Sequence, residues 1–130
     1  MAERDLYDIT FVGGGPVGLF GAYYAGLRDA RTKIIEMTDR LGGRLIHLYP
    51  EKMIFDVMGY PKITARELVE KLVEQASQYE PTVCLGEKVE HIKVLGECLV
   101  RIQTNRGEHF SKTVIITAGL GAFVPRTLDL

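Results

Sequence analysis

The sequence is poor in the residues that build disulfide frameworks and metal centres. It has only two cysteines, Cys84 and Cys98, and their spacing matches neither a C-x-x-C redox pair nor a zinc knuckle. Each lies in an apolar run, so we expect both to be buried, structural thiols. The three histidines, His47, His91 and His109, are scattered along the chain and predict no metal site.

Other features that the sequence lacks reduce the range of possible functions. The 16 basic and 17 acidic residues give a net charge of −1, which argues against nucleic acid or an anionic membrane as a partner. There is no secretory leader and no apolar run long enough to span a bilayer, so we expect a cytoplasmic protein without a membrane partner. No nucleophile–base pair is visible, and we predict no catalytic residue in the chain. Any chemistry would then be carried by a cofactor.

What is present is concentrated between residues 8 and 36. A short apolar run predicts a first strand, and three glycines follow it in G-x-G-x-x-G spacing. A helical pattern then covers about residues 16–28, and a second apolar strand at residues 33–35 ends in an acid. The glycines are Gly13, Gly15 and Gly18, and the acid is Glu36. This order of elements is the dinucleotide-binding fingerprint of a βαβ unit.

Each member of the fingerprint has a physical role. Gly13 allows the tight turn out of the strand, and Gly15 lets a pyrophosphate approach the main chain. Gly18 lets the helix pack close to the strand. Pro16 suits the first helical turn, where its missing N–H costs nothing, and the free N–H groups there face the phosphates. The alternative is a glycine-rich loop in an unrelated α/β domain.

Glu36 lies eighteen positions after Gly18, at the end of the second strand. A carboxylate there can accept hydrogen bonds from both hydroxyls of an adenosine ribose. It would repel a 2′-phosphate, so this site favours FAD or NAD over NADP. Without the glycines, Glu36 alone would favour the alternative of a solvated acid at a strand end.

The rest of the chain predicts further α/β elements. Residues 37–61 form a long irregular connection of the kind that is usually functional. In it Gly42 and Gly43 would let main chain lie flat against a ligand, the alternative being an ordinary turn. A helix begins at Thr64, which forms a capping box with Glu67. A short buried strand is expected at residues 82–85.

Three short extended runs then predict an antiparallel meander, at residues 89–94, 98–103 and 108–111. The β-branched run at residues 113–117 predicts a separate strand buried on both faces. It leads into Ala118 and Gly119, where small residues again permit main chain near a ligand. The predicted fold class is α/β, a Rossmann-like FAD/NAD(P)-binding domain with a parallel sheet, helices and a small antiparallel β-meander. We expect residues 1–130 to be a single FAD-binding domain, the N-terminal portion of a longer protein and incomplete, without an NADPH domain.

With these pieces placed, the chain resembles the FAD domain of the thioredoxin-reductase-like flavoproteins, and most of all the type 2 ferredoxin–NADP⁺ reductases. The motifs that carry the resemblance are FVGGGPVGLFGAYYAGLR, LGGRL, LYPEK, FDVMGYPKI and VIITAGLGAFVPR. They extend over nearly the whole chain, and LYPEK together with TAG-x-GAF is specific to that group.

The resemblance implies roles for individual residues. The three glycines would cradle the FAD pyrophosphate, and Glu36 would hold the adenosine ribose. Further contacts are implied for Arg44 near the flavin, where the family usually has Gln, for Tyr49 stacked on the isoalloxazine ring, for the main chain of Val89 at the adenine, and for Phe123 near the flavin. The alternative for Tyr49, Val89 and Phe123 is packing in the core.

The resemblance also implies an activity for the parent protein. It would pass a hydride from NADPH to the flavin N5 and then single electrons to ferredoxin or a similar small carrier, while the NADPH site would lie outside this chain. The isolated chain should therefore oxidise NADPH at no appreciable rate, and we expect it to be a homodimer or a self-associating fragment. The alternatives are the FAD domain of a thioredoxin reductase, a non-catalytic FAD- or ADP-binding fragment, and an NAD-binding domain.

Overall fold

The computed structural model describes residues 6–119. Within that range the chain forms three helices and eight strands. The helices are α1 (Pro16–Gly26), α2 (Arg44–Leu48) and α3 (Ala65–Ser77), and the strands are β1 (Leu6–Val12), β2 (Thr32–Ile35), β3 (Met53–Ile54), β4 (Ile63–Thr64), β5 (Thr82–Cys84), β6 (Val89–Gly96), β7 (Leu99–Thr104) and β8 (Gly107–Ile116). None of the helices in this range is long and apolar enough to cross a membrane.

The strands form a six-stranded sheet in the order β5-β2-β1-β8-β7-β6 and a two-stranded sheet of β3 and β4. Strands β5, β2, β1 and β8 run parallel, whereas β6, β7 and β8 pair antiparallel. The predicted Rossmann-like α/β fold, with its parallel sheet and meander, is confirmed. The meander is part of the main sheet, because β8 belongs to both.

The prediction of two separate strands at residues 108–111 and 113–117 was wrong. They form one ten-residue strand, β8, whose first half pairs with β7 and whose second half pairs with β1. The expected burial on both faces was also wrong, since Ile115 is 40% and Ile116 is 69% exposed in the part of the chain that the structure describes. A β-branched run reports strand propensity, which is independent of what covers the strand.

Three smaller expectations also need correction. Strand β5 lies at an edge of the sheet, so Val83 and Leu85 are partly exposed and the segment is not a buried strand. Cys98 is exposed, with a φ of +54° between β6 and β7, and Cys84 is only half-buried. The connection at residues 37–61 is not wholly irregular, because it contains α2 and β3.

The core lies where α1 and α3 pack against each other and α1 packs on the first two strands. Phe11 of β1, Leu19 of α1 and Ile34 of β2 are almost completely buried there. Burying each of these side chains contributes about 1.5–3 kcal/mol. This packing fixes the angle at which β1 turns into α1, and therefore fixes the glycine loop between them.

Asp8 joins three strands and supports a prediction about acid stability. Its Oδ2 accepts from the Arg31 N–H at 2.7 Å, and its Oδ1 accepts from the Lys112 Nζ at 2.8 Å. The Lys112 hydrogen bond, followed by that from Arg31, holds the pKa of Asp8 below its ordinary value of 3.8. A depressed pKa stabilises the folded state above that ordinary value, and this stabilisation disappears as the pH falls through the folded-state pKa.

We therefore expect Asp8→Asn to lower stability near pH 7 and to flatten the loss of stability between about pH 5 and pH 2. Denaturant midpoints measured across that range test this. Asp39→Asn is the matched control, because Asp39 is exposed and its nearest cation, Arg40, is 3.7 Å away. Parallel pH profiles for Asp8→Asn and the unmodified chain would contradict the expectation.

Candidate functional site

The glycine loop and Glu36 lie at the carboxyl ends of the parallel strands. The Gly13 N–H donates to the Ile35 carbonyl at 2.9 Å, which joins the ends of β1 and β2. The Thr117 N–H donates to the Val12 carbonyl at 2.8 Å, which joins the ends of β8 and β1. Ligands of open α/β sheets bind in the crevice at this edge.

Two of the fingerprint glycines are required by the protein itself. Gly13 has a φ of +106°, and a Cβ there would lie 2.5 Å from the Thr117 carbonyl oxygen. A Cβ on Gly18 would overlap the Gly13 carbonyl oxygen and lie 2.9 Å from the Thr117 Oγ1. Gly13 therefore makes the tight turn and Gly18 allows α1 to pack on the strand ends, as the sequence predicted.

Gly15 is different, because the protein does not require a glycine there. Its φ of −76° suits any residue. The nearest atom to a Cβ at this position would be the Gly43 Cα, at 3.7 Å. A Cβ at Gly15 would thus make an ordinary contact with Gly43 and clash with no atom of residues 6–119, so the fold itself does not need a glycine here, whereas close approach of a ligand to the main chain would.

Helix α1 has no side-chain hydrogen bond at its N-cap within residues 6–119. Gly15 supplies no side-chain cap, Pro16 occupies the first turn, and no acid lies in that turn. Helix α3 shows the contrast: the Thr64 Oγ1 accepts from the Glu67 N–H and the Glu67 carboxylate accepts from the Thr64 N–H, so the predicted capping box is confirmed. The uncapped N–H groups and the helix dipole of α1 form a site suited to an anion.

Glu36 is held against the glycine loop. It is 8% exposed, its Oε2 accepts from the Gly14 N–H at 2.7 Å, and its Oε1 accepts from the N–H and Oγ1 of Thr38 at 3.0 Å. This excludes the alternative of a solvated acid at a strand end. Sequence reasoning missed Gly14 and Thr38, and for Gly14 the signal was the unbroken glycine triplet: a Cβ there would overlap Leu41.

The loop before α2 reaches the same place. The Gly42 N–H donates to the Gly14 carbonyl at 2.8 Å, and Gly43, with a φ of +60°, lies against Gly15. Arg44 is exposed at the start of α2. Tyr49 follows that helix and is 43% exposed, so the alternative that Tyr49 packs in the core is wrong.

Val89 and Gly119 flank this edge of the sheet. The Glu87 N–H donates to the Glu36 carbonyl at 3.0 Å, so the chain that leads into β6 and its first residue, Val89, passes beside Glu36. Gly119 has a φ of +60°, and within the described residues no atom lies within 4 Å of the position of a Cβ there. Phe123 lies outside the described residues.

Comparisons with known proteins agree with this geometry. A sequence profile of the NAD(P)-binding Rossmann-like domain matches residues 12–57, which contain the glycine loop, Glu36 and α2. Ferredoxin–NADP reductase 2 of Bacillus cytotoxicus is 53% identical over 128 residues, which cover 98% of this chain and 39% of that protein. The chain therefore spans about two fifths of the length of this curated relative.

Solved structures show the same fold. Thioredoxin reductase from Streptococcus pyogenes superposes with a TM-score of 0.80 at 26% identity, over 98% of this chain and 39% of the other. A ferredoxin-flavin thioredoxin reductase from Clostridium acetobutylicum superposes with a TM-score of 0.77 at 26% identity, over 93% and 40%. The resemblance predicted from the sequence is thus confirmed: the chain matches part of a protein named ferredoxin–NADP reductase 2, and its fold is that of part of the thioredoxin reductases.

Proposed function

We propose that this chain is the FAD-binding portion of a type 2 ferredoxin–NADP⁺ reductase. The observation that carries the proposal is the pairing of Gly15, where the fold itself does not need a glycine, with a buried carboxylate, Glu36, that is hydrogen-bonded to the same glycine loop. The hydrogen bond holds the carboxylate beside main chain that a ligand would approach closely. A diphosphate next to a ribose fits that pairing.

A dinucleotide bound along this edge of the sheet would contact the remaining residues in turn, from its adenine end to its flavin end. The pyrophosphate would lie on Gly13, Gly15, Pro16 and Gly18, where α1 presents its free N–H groups. The ribose would bond to Glu36, with the adenine beside the main chain of Val89. The flavin half would then extend toward the residues Gly43, Arg44, Tyr49, Gly119 and Phe123.

The choice of FAD over the nicotinamide cofactors rests on two supports. The Glu36 carboxylate would repel the 2′-phosphate of NADP at close range. The name of the Clostridium acetobutylicum neighbour includes a flavin, and the curated relatives are named as reductases that act with ferredoxin and NADP. We therefore assign NADP(H) to a part of the parent protein other than this loop.

In the parent protein the bound FAD would accept a hydride from NADPH and release single electrons to ferredoxin or a similar small carrier. This chain's own residues would bind and orient the cofactor. Tyr49, whose ring is accessible, would position the flavin by stacking. We further propose a cytoplasmic protein that forms a homodimer, with no catalytic acid or base in this chain.

A thioredoxin reductase is the second candidate, because structures with that name share the fold at 26% identity. The greater similarity, 53% identity, is to a protein named ferredoxin–NADP reductase. This difference favours the first candidate.

Identification of the released cofactor tests the proposal. The chain would be purified, incubated with a mixture of FAD, FMN and NAD, freed of excess ligand, and heated to release what it holds. We expect chromatography to recover FAD alone, at close to one per chain. Recovery of NAD or FMN in place of FAD, or of no nucleotide from a folded chain, would contradict the assignment.

A further inference from the structure

A second cluster of reactive side chains lies next to the segment that carries Glu36, whose main chain bonds to the main chain of Cys84 and of Glu87. It comprises Cys84 at the end of β5, Glu87 in the connection to β6, and His109 on β8. The Cys84 Sγ, a carboxylate oxygen of Glu87 and a ring nitrogen of His109 all lie within 4.8 Å of one another. Glu87 is 7% exposed, and the His109 side chain is 16% exposed. The fold thus brings a thiol, a carboxylate and an imidazole together at one partly enclosed position.

Hydrogen bonds determine which ring nitrogen of His109 carries a proton. The Glu87 Oε1 lies 2.5 Å from the His109 Nε2 and accepts from the Thr104 Oγ1 at 2.6 Å. The Lys33 Nζ lies 2.9 Å from the His109 Nδ1. An ammonium can only donate, so Nδ1 accepts from Lys33 and Nε2 carries the proton that it shares with Glu87.

Glu87 is charged in this arrangement. Burial pushes the pKa of Glu87 upward, but the hydrogen bonds from His109 and Thr104 outweigh it and hold that pKa below its usual range. Burial and the Glu87 charge both raise the pKa of the Cys84 thiol. Without a cation at this point, Cys84 is therefore a protonated thiol beside an anionic carboxylate.

We propose that Cys84, Glu87 and His109 form a zinc-binding site. Thiolate, imidazole and carboxylate are the three ligand types that Zn²⁺ takes in proteins, and three protein ligands leave a fourth position for water. Strands β5 and β8, which are separated in the sheet by β2 and β1, each hold one ligand, while Glu87 lies in the connection that follows β5.

Binding requires a small rearrangement and balanced proton transfers. Tetrahedral zinc bonds of about 2.0–2.3 Å place the donor atoms roughly 3.5 Å apart, so the pair of Glu87 and His109 must open by about 1 Å. The Cys84 thiol and the His109 Nε2 each lose a proton to solvent, while the Lys33 ammonium gives up its hydrogen bond to Nδ1 and Nδ1 takes a proton from solvent. One proton therefore leaves in net for each Zn²⁺ that enters.

The competing explanation is a hydrogen-bonded polar cluster that binds no metal and only joins β5 to β8. Cobalt(II) distinguishes the two, because a cobalt–thiolate bond gives a charge-transfer absorption in the near ultraviolet that oxygen and nitrogen ligands do not give. The probe is Co²⁺ titrated into the full chain, followed as difference spectra against the metal-free protein. Zn²⁺ is then added to displace it.

We expect a saturable thiolate band at one Co²⁺ per chain that Zn²⁺ abolishes. Cys84→Ser should remove the band, and His109→Gln should weaken metal binding by more than the ~10–100-fold that follows loss of an outer-shell partner. Cys98→Ser and His91→Gln are the matched controls, since both residues are exposed and lie outside the cluster, and both should keep the band.

Circular dichroism and denaturant midpoints establish that each variant is folded. The unmodified chain alone can overturn the proposal. It does so if the folded protein binds Co²⁺ without a thiolate band, or if it binds no Co²⁺. A band that persists in Cys84→Ser, or disappears in Cys98→Ser, would overturn it as well.

Discussion

Replacing Gly15 with alanine is expected to abolish tight FAD binding while the fold stays intact. The new methyl group would lie 3.7 Å from the Gly43 Cα, an ordinary contact, and would clash with no atom of residues 6–119. The chain therefore loses no packing, but a pyrophosphate can no longer reach the main chain. We expect FAD affinity to fall by roughly 100-fold, which corresponds to about 2.8 kcal/mol.

The stability of Gly15→Ala should change little. Alanine is a poorer helix N-cap than glycine, by up to about 1 kcal/mol. It also restricts the unfolded chain, which stabilises the folded state by about 0.4–1 kcal/mol where φ is compatible. The two effects oppose each other, so denaturant midpoints of the variant and the unmodified chain should nearly coincide.

Two other glycines make the comparison sharp. Gly18→Ala would place a methyl group against the Gly13 carbonyl oxygen. It should therefore lower the free energy of unfolding clearly, whereas Gly15→Ala should leave it nearly unchanged. Gly96→Ala lies in open space at the end of β6 and should change neither stability nor binding. If Gly15→Ala bound FAD as tightly as Gly96→Ala does, the space beside Gly15 would not be the diphosphate site.

Glu36→Gln is expected to have the second largest effect. The carboxylate accepts from the Gly14 N–H and from both donors of Thr38. An amide of the same size keeps one acceptor oxygen and turns its NH₂ toward the donors of the loop, leaving at least one of them unpaired at a cost of about 1–3 kcal/mol. It also loses an acceptor for the ribose hydroxyls, so ADP should bind roughly 10–100-fold more weakly.

The substitution should change specificity in a defined direction. Without the negative charge of Glu36, the penalty against a 2′-phosphate decreases, so 2′-phospho-ADP should lose less affinity than ADP. Calorimetric titration of both nucleotides measures the ratio. Glu51→Gln is the matched control, because Glu51 is exposed and pairs with Arg66, and it should leave the ratio unchanged. An unchanged ratio in Glu36→Gln would exclude a ribose at this carboxylate.

The parts of the site that depend on short sequence spacing could be predicted. The capping box at Thr64 is set by a partner three residues away, and the glycines at positions 13 and 18 could be predicted from their spacing, although the atoms that exclude a side chain there include the distant Thr117. Their conformational requirements are visible in the residue type itself, since a side chain at Gly13 or Gly18 would collide with main chain. Glu36 was found in the same way, at the end of the strand that follows α1.

The features that failed depend on contacts between distant segments. The residue types from 107 to 116 do not indicate that a single strand pairs first with β7 and then with β1. The burial of Ile115 and Ile116 depends on which other segments cover the sheet. The cluster of Cys84, Glu87 and His109 was invisible for the same reason, because the pairing of β1 with both β2 and β8 brings it together. The prediction that Cys98 is buried was wrong because apolar neighbours in the sequence do not bury a residue that lies in a tight turn.

Amide chemical shifts during an ADP titration test the central claim most directly. If the diphosphate rests on the glycine loop, the largest changes will occur at the N–H groups of Gly15, Val17 and Gly18, with further changes at Glu36 and Thr38. A competing location is the surface depression of about 410 Å³ beside α3, which is lined by Tyr60, Lys62, Ile63, Glu67, Glu70, Lys71 and Glu74. Shifts concentrated around that depression, with the glycine-loop amides unmoved at saturating ADP, would contradict the account.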